Sequence, residues 1–447
     1  MISTLSNAFK NREIRKKIFF TLFVLIIYRL GCYITVPGIN AHALASVANS
    51  GLVNVLNMFS GGGLTNYSLF AMGVSPFVTA QIIIQLLQMD IVPKFVEWSK
   101  QGDVGRRKLN QATRYLTIVL AFVQSIGITA GFNALTPMHL VKTPNVNTFI
   151  TIGILLTSGT MLATWMADMI TQRGLGNGIS VLIFAGIIAR MPVGIKQLWT
   201  ENITNATNKS QMWRGAAFLI ALLIIVLIIV VAVTWVQQAE RRIPIQYMKR
   251  ATQSGSGSYL PLKVNVAGVI PVIFASSLIS TPQMILMLFQ KAHGSESWYR
   301  NLSNVFNMQT TSGAILYTIL IILFTFFYAF VQVNPEKLAE NLQKQGSYIP
   351  SVWPGDETKK YVSSLLMKLS VVGSIFLGVV SLVPLLASDI WGLNESIGLG
   401  GTSLLIVVGV SIDMIRQLDG LMMKRQYVGF IHNEDIKSYQ MEKENGN

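Results

Sequence analysis

The side chains able to do chemistry are few and scattered. The chain has one cysteine, Cys32, and four histidines, His42, His139, His293 and His432. A lone thiol allows no disulfide and no cysteine metal cluster within one chain. The histidines fall in or beside loops with no HExxH or other paired spacing, so neither a metal nor another cofactor is expected. No apolar segment carries a nucleophile–histidine pair or a carboxylate dyad in helical register, which speaks against an intramembrane enzyme. No Walker-type phosphate loop occurs, so the chain is not expected to hydrolyse ATP. The remaining candidates are isolated charges and amides. Asp168, Asp413 and Arg416 sit near the ends of apolar runs, and Arg29 reads as the only deep charge. Mid-span carboxylates would point to ion coupling. Their absence argues against the main alternative function, a small-solute secondary transporter. Gln81, Gln85 and Gln88 share one helical face, with Gln124 and Ser125 on the next apolar run. Such amides join helices by hydrogen bonds or line a seam that opens.

The elements that must position these residues are membrane spans. Of 447 residues 51% are hydrophobic and 12% charged, with mean hydropathy +0.50. A soluble domain is nearer a quarter charged, and many apolar runs approach the ~20 residues that cross a bilayer. The fold class is therefore all-α, a polytopic membrane protein. Ten spans are expected, near 18–36, 74–90, 115–133, 148–170, 179–195, 215–239, 265–289, 312–333, 366–388 and 401–419. The basic stretch from Lys10 to Lys17 leads into an apolar run without a small-residue cleavage pattern, so it reads as a retained first span. Of the 35 Lys and Arg, twenty-six fall on the side of both termini, seven (Arg190 among them) on the other, and Arg29 and Lys368 within spans. The bias places both termini in the cytoplasm. The net charge of +15 thus belongs to the cytoplasmic face. It suits anionic lipids, and the long basic loops 240–263 and 334–365 suit a large acidic partner.

One stretch breaks the pattern of spans. Residues 59–90 read FSGGGLTNYSLFAMGVSPFVTAQIIIQLLQMD, and residues 30–89 carry no charge. Ser75-Pro76 reads as an N-cap followed by proline in the first turn. A helix from there to Met89 covers about 21 Å, less than the ~30 Å hydrocarbon core. It must start inside the membrane, beside irregular backbone that is tolerated only when buried in protein or lining a cavity. Span seven echoes it in AGVIPVIFASS, residues 267–277. Broken spans at matching positions of two halves indicate a duplicated architecture with its working site between them.

At these residues the chain resembles the bacterial SecY family, whose members form the pore of the general protein-secretion channel. The resemblance covers nearly the whole chain, through NMFSGGGLTNYSLFAMGVSPFVTAQIIIQLL, GDVGRRKLNQATRY, QSIGITAGF, RGLGNGISVLIFAGI, PLKVNVAGVIPVIFASS, FVQVNPEKLAENLQKQGSYIP and GGTSLLIVVGVSIDMIRQ. It implies ten helices in two pseudo-symmetric five-helix halves, 1–195 and 196–419, around a central pore, with a cytoplasmic tail 420–447. It implies passage of signal-sequence-bearing unfolded polypeptides across the bacterial cytoplasmic membrane.

The resemblance also assigns residues. Val74, Val78, Ile179, Ile183, Ile273 and Ile406 match a ring of aliphatic side chains at the pore's waist. Phe59, Ser60, Gly61, Gly62, Gly63, Leu64, Thr65, Asn66, Tyr67, Ser68, Leu69 and Phe70 match a plug over that ring. Spans two and three would face seven and eight across a lateral gate, with Gln85, Gln124, Ser125, Ser276 and Ser277 as its polar contacts. Arg241, Arg242, Lys249, Arg250, Lys344 and Trp353 are the expected docking residues for cytosolic partners. The implied partners are the clamp subunit SecE, the small subunit SecG, and the SecA ATPase or the ribosome. One departure stands out. In the run Ile349-Pro350-Ser351-Val352-Trp353-Pro354-Gly355, Trp353 replaces the family's arginine and Ser351 a glycine.

Overall fold

The computed structural model describes residues 11–40, 57, 60–89, 92–135, 140–142, 144–204, 209–247, 258–294, 296–308, 310–391 and 402–422. Phe59, Lys249, Arg250 and the tail beyond 422 lie outside the described residues.

The described helices are α1 (Arg12–Gly31), α2 (Ser75–Leu87), α3 (Pro93–Lys100), α4 (Gly102–Leu135), α5 (Val146–Arg173), α6 (Gly178–Trp199) and α7 (Lys209–Gln238). After them come α8 (Ile270–His293), α9 (Ser297–Phe306), α10 (Thr311–Gln332), α11 (Pro335–Lys344), α12 (Asp356–Trp391) and α13 (402–422). Every expected span lies on one of these helices. Among the described residues, seven helices are long and apolar enough to cross a membrane by themselves. The molecule is a polytopic membrane protein. At 34 residues α4 runs about 51 Å, so its basic first turns project beyond the bilayer.

Helix α2 has 13 residues, a little shorter than expected. Its N-cap is Val74 rather than Ser75, and no side chain caps it. Ser75 is already helical, and its hydroxyl is buried without a partner. Pro76 still sits in the first turn, where its missing N–H costs nothing. The echo in span seven is conformational. Gly73-Val74-Ser75-Pro76 and Gly268-Val269-Ile270-Pro271 each open a helix one residue before the proline. Gly73 has φ +53° and Gly268 φ +64°, a region open to glycine. Each bend sets where its helix begins; the first helix is short, 13 residues, and the second runs for 24.

Two features were not expected from the sequence. The loops after α7 and α11 form a three-stranded antiparallel sheet in the order β2-β1-β3. Strand β1 (Glu240–Tyr247) pairs with β2 (Ser258–Lys263) and, at Gln246 and Tyr247, with β3 (Ser347–Tyr348). Ile243, Leu262, Ile349, Val362 and Leu366 bury a satellite core beneath it. The two loops are therefore one unit. Ser351, the serine at a glycine position, has φ +67°. That explains why glycine suits this turn, since a side chain there costs about 1–2 kcal/mol.

The charges at the span ends are consumed structurally. Asp168 pairs with Arg114 at 2.6 Å, Lys263 with Asp413 at 3.3 Å, and Arg416 with Glu240 at 3.5 Å. The first ties α4 to α5; the other two tie the sheet to α13.

Candidate functional site

Val74, Val78, Ile183, Ile273 and Ile406 are all buried in one apolar cluster, and Ile179 packs against it half-buried. They come from α2 and its N-cap, α6, α8 and α13, so residues as far apart in sequence as Val74 and Ile406 share one apolar cluster. Val269 occupies in the second bend the place Val74 holds in the first, and it is buried in the same cluster. The sequence reading missed it, although the shared Gly-Val-x-Pro pattern marks the position. Val and Ile hold one χ1 rotamer, so the cluster is stiff. An apolar constriction of this kind closes by excluding water.

The stretch 61–73 leading into this cluster has no regular secondary structure, yet much of its backbone is hydrogen-bonded. Turns within it run from the Gly62 N–H to the Asn57 carbonyl, Gly63 to Ser60, and Tyr67 to Leu64. The Asn57 and Ser60 side chains accept from the Thr65 and Leu64 N–H groups. Val36 N donates to the Tyr67 carbonyl at 3.1 Å and Leu69 N to the Ile34 carbonyl at 3.0 Å, which stitches the stretch to the segment after α1.

Tyr67 is the anchor. It is fully buried, and its backbone takes the uncommon φ of +44°. Thr129 Oγ1 spends its proton on the Ser125 carbonyl, so the Tyr67 hydroxyl must donate to Thr129, at 2.6 Å. Leu64 is buried in the same apolar cluster, and Phe70 is buried against the Tyr28 ring. Moving these two into water would cost about 1.5–3 kcal/mol each. Glycine makes the approach possible: a Cβ at Gly159 in α5 would lie 1.9 Å from the Leu69 carbonyl oxygen.

Two arginines flank the plug. The Arg29 guanidinium donates to the Gly61 carbonyl and, at 3.2 Å, to the Tyr33 hydroxyl. Arg190, counted with the outer loops from sequence, lies instead within α6, and its stem approaches Gly62. Arg29 is therefore not the only deep charge.

At the expected seam, α8 packs on both α2 and α4. Its hydrogen bonds differ from those expected. Gln124 Nε2 donates to Thr281 Oγ1 at 3.0 Å, and Thr281 and Thr79 share a hydroxyl contact at 3.2 Å. Thr79 and Thr281 were not singled out from sequence, where a threonine on an apolar helix carries no distinguishing mark. Ser125 does not face the seam: it donates to Phe122 and Gly153 carbonyls and so ties α4 to α5. Ser276 bonds within its own helix. Ser277 Oγ, Gln85 Oε1 and Gln124 Oε1 are buried without partners.

On the cytoplasmic unit, Arg241 and Arg242 are exposed, and the Arg242 guanidinium stacks 4.8 Å over the Tyr259 ring. Lys344 pairs with Glu340. Trp353 is 81% exposed at the tip of the turn after β3. Nearby, the hydrogen bond that the Lys360 ammonium donates to the Glu357 carboxylate raises its pKa above the ordinary value.

Comparison with known proteins gives this geometry a context. A family model described as SecY matches residues 68–415. Protein translocase subunit SecY 1 of Lactobacillus kefiranofaciens is 65% identical over 431 residues, covering 96% of this chain and 100% of the relative. The SecY subunit of Lactococcus lactis subsp. cremoris is 53% identical (96% and 98% covered), and that of Staphylococcus carnosus 47% (96% and 99%). Among solved structures, a protein-conducting channel superposes with TM-score 0.65 at 19% identity, covering 90% of this chain and 91% of that one. Canine Sec61 in a ribosome–channel complex gives 0.62 at 19% identity, with 90% and 91% covered. At that identity the likeness is one of fold.

Two variants probe this geometry. Cys32 Sγ lies 3.5 Å from the Ser60 carbonyl oxygen and is the sole cysteine. Ser60→Cys should therefore form an intramolecular disulfide on mild oxidation of membranes, read as a shift in gel mobility; a pair that stays reduced would show the stretch unseated. Thr281→Val keeps the volume but strands the Gln124 amide, at a cost of about 1–3 kcal/mol to the closed seam. Precursors with weak signal sequences should then pass more readily, and adding Gln124→Leu should restore stringency. Equal stringency in all three proteins would show that the cross-seam bonds do not hold the gate.

Proposed function

The chain belongs to the SecY family, and on that premise we propose that it is the protein-conducting subunit of a translocase. It passes unfolded, signal-sequence-bearing polypeptides across the bacterial cytoplasmic membrane and releases signal or membrane segments sideways into lipid. One observation carries the mechanism. Aliphatic residues from both halves meet in one apolar cluster beneath a buried, charge-free plug. A chain sliding through such a ring meets no side chain that binds it, so any sequence can move, while the apolar waist resists water and ions at rest. The six ring positions, the plug and the seam between α2 and α4 on one side and α8 on the other are its working parts. The seam opens for a signal sequence when Gln124, Thr79 and Thr281 part.

The halves 1–195 and 196–419 move as a clamshell about this seam, and both termini lie in the cytoplasm, in accord with the distribution of Lys and Arg. The channel is not itself an enzyme. Work comes from the SecA ATPase or from the ribosome, docked on the sheet unit through Arg241, Arg242, Lys344 and the tip at Trp353. The clamp subunit SecE and the small subunit SecG complete the assembly, and anionic lipids face the basic cytoplasmic side. Relatives named as translocase subunits favour this reading over solute transport.

Reconstitution tests it directly. With SecE, SecA, ATP and a secretory precursor, the vesicles should yield protease-protected product; none, where a reference channel succeeds, would sink the proposal. Ile406→Asn should wet the ring, so that resting vesicles leak ions, and an unchanged resting conductance would remove Ile406 from the constriction.

A further inference from the structure

Helix α9 begins three residues after α8 ends and stops four residues before α10 starts. Both neighbours are apolar spans, so α9 must lie at the level where they leave the membrane. It carries three faces. Tyr299 is buried, and Ser303 and Phe306, on the same side of the helical wheel, are half-buried. The Tyr299 hydroxyl donates to the Leu286 carbonyl of α8 at 3.0 Å, and Phe306 packs against the cluster that holds the ring positions. A second face, Ser297, Arg300, Asn301 and Asn304, is exposed and polar. Between them runs a third. Trp298, Leu302 and Val305, at i, i+4 and i+7, are 50%, 40% and 38% exposed.

In water this stripe would cost about 25 cal/mol for each Å² of apolar surface left uncovered. The side chains do not collapse to hide it. Trp298 is held outward: its indole N–H bonds Glu296, whose carboxylate also meets His293 Nδ1 at 2.9 Å. An apolar stripe beside a polar face, with tryptophan at its start, is the pattern of a helix lying in the headgroup region.

We propose that α9 docks on lipid. It lies in the interface of the outer leaflet with Trp298, Leu302 and Val305 turned towards the acyl chains, and Tyr299 ties it to α8. Lipid packing in that leaflet thereby bears on the helix that closes the seam. This coupling rests on reading α8 as a gate helix; the placement of α9 in lipid does not.

The test places single cysteines at Asn301, Leu302, Asn304 and Val305 in the full chain carrying Cys32→Ala. Each protein is spin-labelled and reconstituted in phosphatidylglycerol–phosphatidylethanolamine vesicles. Labels at 302 and 305 should relax several-fold more with lipid-dissolved oxygen than with a water-soluble nickel chelate, and labels at 301 and 304 the reverse. Chelate access at all four positions would put the helix in water and overturn the proposal. Labels at 302 and 305 shielded from both reagents would mean a protein covers the stripe, which overturns it equally.

Discussion

Backbone polar groups at membrane depth must find partners, because no water is there to take them. This constraint organises the molecule. Residues 60–74 and 264–269 are irregular backbone inside or beside apolar spans. Each unsatisfied N–H or carbonyl would cost a few kcal/mol. The plug meets the demand with its own turns, with Asn57 and Ser60, with a two-bond stitch to residues 34–36, and with Arg29 at Gly61. These partners come from α1 and its own stretch, while α4 supplies Thr129 and α5 supplies Gly159.

On the proposed function, the ring and the seam solve the opposite problem: they must part. The ring holds itself together by apolar contact alone, which leaves no stranded donor when it opens. The seam has a small number of cross-bonds around Thr281, and it buries Gln85 Oε1, Gln124 Oε1 and Ser277 Oγ without partners. Each of those atoms recovers a hydrogen bond when water or a polar backbone reaches it, which offsets part of the packing lost on opening. A closed seam built this way sits nearer to balance than the volume of its contacts implies. In the irregular stretch Tyr67, Leu64 and Phe70 are fully inside and the Tyr67 hydroxyl is bonded to Thr129 of α4, while Ser68 Oγ is buried without a partner.

Local signals were legible in the sequence. Helical runs, the short helix after Ser75-Pro76 and the matching bend at Pro271 follow from hydropathy and from the backbone chemistry of proline and glycine. The family motifs carried the ring positions, which composition alone cannot separate from ordinary packing. What escaped depends on distance. Thr79 and Thr281 are 202 residues apart, and neither differs from any threonine on an apolar helix until the two meet. Ser125 sits next to Gln124, yet successive helical residues point about 100° apart, so one faces the seam and the other α5. Arg190 read as an outer charge because α6 ends nearby. The sheet was missed because Pro244 and Pro261 interrupt the strands and β3 has two residues.

The departure at 351–355 shows how the cytoplasmic unit separates shape from chemistry. Ser351 accepts a left-handed conformation that glycine would adopt freely, so the turn is kept although the residue changed. Ile349 is locked in the satellite core, Val352 N closes the turn on the Ile349 carbonyl, and Thr358 Oγ1 holds the Trp353 carbonyl at 2.9 Å. The frame is thus fixed by buried and backbone contacts that do not involve the side chain at 353. That side chain stands clear of the fold, so an indole can replace a guanidinium without disturbing a strand. What changes is the contact offered outward: a flat apolar face with one donor instead of a charge with five. The side chain at 353 is thus presented on a sheet that Lys263–Asp413 and Arg416–Glu240 join to α13.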